Sequence, residues 1–163
     1  MKFTLAFKTS IDPVTFIGAG ILSAADQAAN TPNYVQGVNG YGQRAGSIYA
    51  NGFTDIMIGG AILPSLLHQN PRYYYQGTGT NKSRALNAIA SPFVCRGDNG
   101  QREPNFSSVG GDLFSAAISN DYYPESNRDV RLVLDNVLIG SAERMAAALA
   151  LEFILRRLTL KTK

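Results

Sequence analysis

The chain predicts an all-α protein, a compact bundle of about five helices packed through Gly/Ala/Ser faces, with a long last helix. Three observations carry that expectation. Few stretches alternate apolar and polar residues at period two, and β-branched residues do not cluster. Residues that cap helices recur along the chain. Small residues return at every fourth position in several segments, which puts them on one helical face.

Asp12-Pro13 opens the first expected helix, Pro13 to Ala29. The Asp side chain accepts from orphan amides, and Pro at the first helical position forfeits no hydrogen bond. Asn30 to Gly40 (NTPNYVQGVNG) is rich in turn formers and reads as a loop. A second helix runs from Tyr41 to Leu67, with Asn51-Gly52 and Pro64 as its weak points. His68 to Thr80 has no helical period and reads as a loop with an aromatic centre. Thr80 or Asn81 caps a third helix, Lys82 to Cys95, bent near Pro92, and RGDNGQREPN forms the next turn. Asn105 caps a fourth helix, Phe106 to Asn120. Ser126 and Asp129 have the spacing of a capping box opening the last helix, which extends to about Leu158. No repeat, low-complexity tract or shift in composition divides the chain, so residues 1–163 read as a single helical domain with 1–11 as a leading segment.

The small residues form trios: Gly20, Ala24 and Ala28; Gly42, Gly46 and Ala50; Gly111, Ser115 and Ser119. Each interior glycine costs a helix about 1 kcal/mol relative to alanine, which only close packing of neighbouring backbones would recover. The last helix is apolar from Met145 to Leu155 except for Glu152, which stands four residues before Arg156 in the favourable order for an ion pair. A helix apolar around most of its circumference is buried in protein or in lipid.

The composition narrows the function classes. With 45% hydrophobic and 17% charged residues, the chain is neither a charged disordered tail nor a coiled coil. One Cys and one His preclude an internal disulfide or an ordinary zinc or haem site, so no metal and no cofactor is expected. The net charge of +3 comes from scattered basic residues, the densest groups being Arg72/Lys82/Arg84, Arg128/Arg131 and the tail Arg156/Arg157/Lys161/Lys163. No stripe neutralises several phosphates together, and nucleic acid is not an expected partner. Lys8 and Asp12 interrupt the apolar start MKFTLAF before it is long enough for a signal. The best apolar run, Ile56 to Pro71, contains Pro64, His68, Gln69 and Asn70, so no standard single-pass span is expected.

The unusual side chains gather between His68 and Arg84. Arg72, Tyr73, Tyr75, Lys82 and Arg84 are the candidate ligand-binding residues, an anion or headgroup site beside a helix start; the structural alternative is an amphipathic anchor for the end of the second helix. GTGTNKS (Gly77 to Ser83) approaches a phosphate loop but has Asn81 where glycine must precede the lysine, and no strand before it. No catalytic residue is assigned. The alternative is His68 as acid or base with Ser65 three residues back, Asp98 or Asp112 being the orienting carboxylates. A lone His at a helix end more often caps it. Cys95, beside Arg96, reads as a buried thiol rather than a reactive one, and Arg96-Gly97-Asp98 reads first as a turn.

The strings SLLHQNPRYYYQGTG (65–79) and ISNDYYP (118–124), with DPVTF (12–16) and YGQRAGSIYA (41–50), resemble a family of uncharacterised bacterial envelope-associated helical proteins. The resemblance covers residues 12–127. It implies a helical fold at the cell envelope and supplies no reaction. Its members carry a longer N-terminal part with an export signal, which implies a truncated N-terminus here, and an acidic residue where this chain has Asn70, which argues against position 70 assisting His68. The expectation is therefore a non-catalytic structural or interaction protein of the envelope, periplasmic or membrane-associated, meeting a membrane lipid, an envelope protein or a second copy of itself. A small envelope hydrolase acting on a lipid or phosphoester, with His68 as acid or base, is the alternative; a soluble, cytoplasmic, small-ligand-binding module is the third reading.

Overall fold

The computed structural model describes residues 1–70 and 72–155. Helix α1 (Lys2–Ser10) meets α2 (Pro13–Ala29) at a bend of 49°. Helix α3 (Val38–Met57) passes through a π-helical turn, Ile58–Ile62, into the short α4 (Leu63–Leu66). Strand β1 (Gln69–Asn70), helix α5 (Asn81–Ala90) and strands β2 (Val94–Gly97) and β3 (Arg102–Pro104) follow. Helix α6 (Phe106–Ser119) and a 3-10 turn lead to α7 (Val130–Ala150), which continues as a π turn to Leu155. The bundle centres on α3, packed by α2 on one side and α6 on the other; α7 lies on α6, α1 on α3 and its π turn, and α5 on α7.

The expected helical bundle with a long last helix is found, and its helix starts have the expected chemistry. Asp12 accepts from the Val14 amide, Thr80 from Ser83 and Asn105 from Ser108. Several details differ. The leading segment is itself helical. The turn that ends α5 at Ala90 places Val94–Gly97 in a strand instead of a continued helix, and RGDNGQREPN is a hairpin: β2 pairs antiparallel with both β1 and β3. Asp129 alone caps α7, accepting from Leu132, while Ser126 sits in the preceding 3-10 turn. Asn51-Gly52 does not break α3; the register changes at the π turn, whose Gly59 faces Gly111 of α6. The end of the last helix near Leu158, and Arg156, lie outside the described residues.

Two of the three small-residue trios face outward. Ala24, Ala28, Gly42 and Gly46 are exposed, and a methyl group built at Gly42 or Gly46 would meet nothing within 4 Å. The buried positions are Ala19 and Ser23 on α2, and Gly40, Arg44 and Ser47 on α3. Period four names a face but not its direction. On α6 the expected trio is the packed face: Gly111, Ser115 and Ser119 are buried, and a methyl at Gly111 would lie 2.5 Å from the Gly59 Cα.

The interior is inverted relative to an ordinary core. Its buried apolar residues, among those described, are six alanines, Tyr123 and prolines, and its largest fully buried side chains are Arg44 and Glu152. Large apolar side chains lie outside. Val14, Ile17 and Ile21 on α2 are 74%, 61% and 66% exposed. Leu113, Phe114 and Ile118 on α6 and Val130, Leu134 and Leu138 on α7 are exposed as well. The only charged residue in α2 is Asp26, and the only one in α6, Asp112, turns inward.

Candidate functional site

Three buried polar clusters hold the bundle, and none was predicted from sequence. In the first, Arg44 of α3 donates to the carbonyls of Thr31, Pro32, Tyr34 and Val35 and to Gln27 Oε1, at 2.6–3.3 Å. Guanidinium has five N–H groups in a planar fork, and these acceptors use them to fold the α2–α3 loop around one side chain. Gly40 is required beside it, because a Cβ there would overlap the Val35 carbonyl.

The second cluster closes the His68 to Arg84 segment onto the end of α7. Glu152, fully buried, accepts from Arg84 Nε at 2.8 Å, Tyr73 Oη at 3.0 Å, and the amides of Gln76 and Gly77 at 3.0 and 2.9 Å. Arg84 also donates to the Glu152 carbonyl and stacks over Phe153. Burial by itself raises the Glu152 pKa, but the bonds from Arg84, Gly77, Tyr73 and Gln76 outweigh it, and the carboxyl lies below its ordinary range.

The third cluster joins α3, α6 and α7. Arg144 donates to both Asp112 oxygens at 2.8 and 2.7 Å and to Asp55 Oδ2 at 2.5 Å. Asp55 Oδ1 is buried with no hydrogen-bond partner among the described residues. Burial raises both acids above the ordinary value against the pull of Arg144, and Asp112, with Asp55 as a neighbouring negative charge, is pushed up to about 6. The guanidinium loses by burial and gains more from its two carboxylates, so its pKa rises.

A cavity of about 780 Å³ opens between α1, the π turn, α5, the sheet and α7. Arg72, Arg96, Arg102 and Arg144 line it with Tyr73, Tyr74 and Asn70, and Asp55 is the carboxylate among its described lining residues. A second cavity of about 640 Å³ lies on the other side of Asp55, between α2, α3, α6 and α7.

The structure divides the residues singled out in the sequence. Arg72 and Tyr73 line the larger cavity; Arg84 is committed to Glu152, and Tyr75 and Lys82 are exposed outside the cavity wall. His68 and Ser65 are exposed, and neither side chain makes a hydrogen bond among the described residues. The Asp98 amide donates to the His68 carbonyl, while the Asp98 carboxylate pairs with Lys2 at 2.8 Å. Asp112 is engaged by Arg144. Cys95 is half-buried, and burial with the nearby Glu103 pushes its thiol up, away from thiolate chemistry. Among the described residues no group of His, Cys, Asp and Glu is arranged to hold a metal ion. Sequence reading missed Arg96 and Arg102, although Asn99-Gly100 between two short runs is a strong hairpin signal.

No protein-family model matches the chain, and neither a curated protein nor a solved structure matches it.

Proposed function

We propose that this is a non-catalytic, membrane-associated helical protein of the cell envelope, whose apolar exterior meets lipid while polar clusters hold its interior. One observation carries the reading: many large apolar side chains are exposed, while Arg44, Asp112 and Glu152 are buried. Burying apolar area drives folding by about 25 cal/mol per Å², and an interior of alanine and serine uses little of it. The driving force left on α2, α6 and α7 lies in exposed apolar side chains, and clusters of these mark surfaces that meet lipid or another protein. The outward sides of α2 and α6 are almost uncharged, as contact with hydrocarbon requires. Packing through alanine, serine and glycine with interior hydrogen bonds is the way helices associate where lipid supplies no hydrophobic drive between them. No single described helix is long and apolar enough to cross a membrane; α1 and α2 pass that test only as a bent pair. The reading is therefore association through apolar faces, and the envelope location leans on the family resemblance.

Flotation with phosphatidylcholine vesicles tests it. The chain is expected to rise with the vesicles, and Ile17→Glu/Ile21→Glu to lower the bound fraction at least about tenfold while leaving the helical circular dichroism unchanged. A chain that stays at the bottom of the gradient and elutes as a discrete oligomer would show that these faces meet a second copy, and the lipid reading would fail.

A further inference from the structure

The sheet assembles a row of side chains that no single stretch of sequence contains. Asn70 of β1 pairs with Arg96 of β2, and Arg96 pairs with Arg102 of β3. Paired residues project from one face of a sheet, and all three line the 780 Å³ cavity. Arg72, two residues beyond Asn70, lines it too.

Like charges directly opposite one another on neighbouring strands destabilise the pairing. The carboxylates nearby do not relieve it. Glu103 projects from the other face, against Gly97; Asp98 is paired with Lys2; Asp55 is held by Arg144. Arg96 leans on the Tyr74 ring, 5.1 Å from its centroid, and gives one long bond of 3.3 Å to the Gly100 carbonyl. The Arg72 and Arg102 guanidinium groups make no ion pair among the described residues. Leu5, Ile56, Leu86 and Leu151 give the same cavity an apolar part of its wall.

We propose that this cavity binds an amphiphile. An anionic head, phosphate or carboxylate, is gripped by Arg96 and Arg102 with Arg72 at the mouth, and a hydrocarbon tail lies along the apolar wall. Guanidinium groups suit such a head because their paired N–H donors match the spacing of its oxygens. The volume is within the range of sites for small organic ligands, about 300–1,000 Å³. An anion between Arg96 and Arg102 turns a repulsive pair into a bridged one. The inference holds whether or not the exterior meets lipid; the membrane reading only adds the bilayer as a source of the ligand.

The chain would be titrated with a fluorescent fatty acid below its micelle concentration, with lysophosphatidic acid, with dodecanol and with inorganic phosphate. The two anionic amphiphiles are expected to saturate at one per chain and to raise Tm, with dodecanol binding at least tenfold more weakly and phosphate competing only in the millimolar range. In Arg96→Gln/Arg102→Gln, affinity for both anionic amphiphiles falls at least tenfold. The ligand-free Tm of that variant holds or rises, because the repulsion is gone, so the loss cannot be laid to misfolding. Absence of saturable binding, dodecanol binding as tightly as the acids, or unchanged affinity in the double variant would each overturn the proposal. Vesicles separate the sources. A preference for phosphatidylglycerol over phosphatidylcholine that the double variant loses assigns a bilayer headgroup, whereas binding of the monomeric acid without that preference assigns a free ligand. A chain that binds the acid yet fails to float keeps this site and loses the membrane reading, and the reverse result does the opposite.

Discussion

Glu152 and Asp112 are both buried carboxylates facing an arginine, yet the first titrates below the ordinary carboxylate range and the second at about 6. The difference is the number of donors per negative charge. Glu152 alone receives Arg84, a tyrosine hydroxyl and two backbone amides. Asp112 shares one guanidinium with Asp55, and Asp55 Oδ1 has no donor among the described residues. Burial penalises both carboxylates. Where four donors converge on one charge the ion is stabilised; where two charges divide one cation, the carboxyl pKa rises.

The largest expected effect comes from removing the shared cation. Arg144→Met leaves two buried carboxylates unopposed and should destabilise the fold by about 4 kcal/mol at pH 7. Because these acids can take up protons, the loss should shrink at pH 5; urea denaturation at both pH values reads it, and an undiminished loss would contradict the shared-charge account. Glu152→Gln comes next, at about 3 kcal/mol, since Arg84 loses its counter-ion and amide donors lose a charged acceptor. Its local sign is faster hydrogen exchange at the Gln76 and Gly77 amides, which the Arg144 variant should not produce.

The same contrast fixes opposite pH dependences. Asp112 has a folded pKa above its ordinary value, so its contribution to stability is complete below about pH 4 and is lost as pH rises through about 6. Glu152 has a folded pKa below its ordinary value, so its contribution is present above that value and lost as pH falls through the folded one. Stability measured from pH 3 to 7 should lose its downward slope between about pH 4 and 6 in Asp112→Asn and its acid-side fall in Glu152→Gln. If both variants keep the wild-type profile, neither carboxylate behaves as described.

The smallest effects test how closely the helices pack at two glycines. A methyl group at Gly111 would lie 2.8 Å from Asp55 Oδ1 as well as against Gly59, so Gly111→Ala should cost about 2 kcal/mol in thermal unfolding. Gly42→Ala meets nothing within 4 Å and should instead stabilise α3 by about 0.5 to 1 kcal/mol. Equal effects at the two positions would mean that the contact of α6 with the π turn is not as close as the geometry has it.

Much of the helical framework was legible because its signals are local. Asp12-Pro13, Thr80 and Asn105 cap helices through hydrogen bonds to amides two or three residues away, so a short window of sequence holds both partners. The strands were not legible. β1 has two residues and β3 three, too short for any alternation to register, and each exists only through its neighbour. The candidate site was half legible: Arg72 and Tyr73 belong to the loop picked out for its composition, but Arg96 and Arg102 reach the same cavity only through the hairpin. A charged residue is exposed by default, so nothing near Arg44, Arg144 or Glu152 in the chain marked them for burial.

What the sequence by itself determined is the helix starts capped by Asp12, Thr80 and Asn105 and the placing of small residues one turn apart, because covalent spacing and nearby amides decide both. Only the tertiary structure decided which faces turn inward, which acids divide a cation and which arginines stand opposite each other. Those outcomes depend on donors and charges brought from far along the chain. Tyr73, Arg84 and Glu152 meet across as many as 79 positions of sequence.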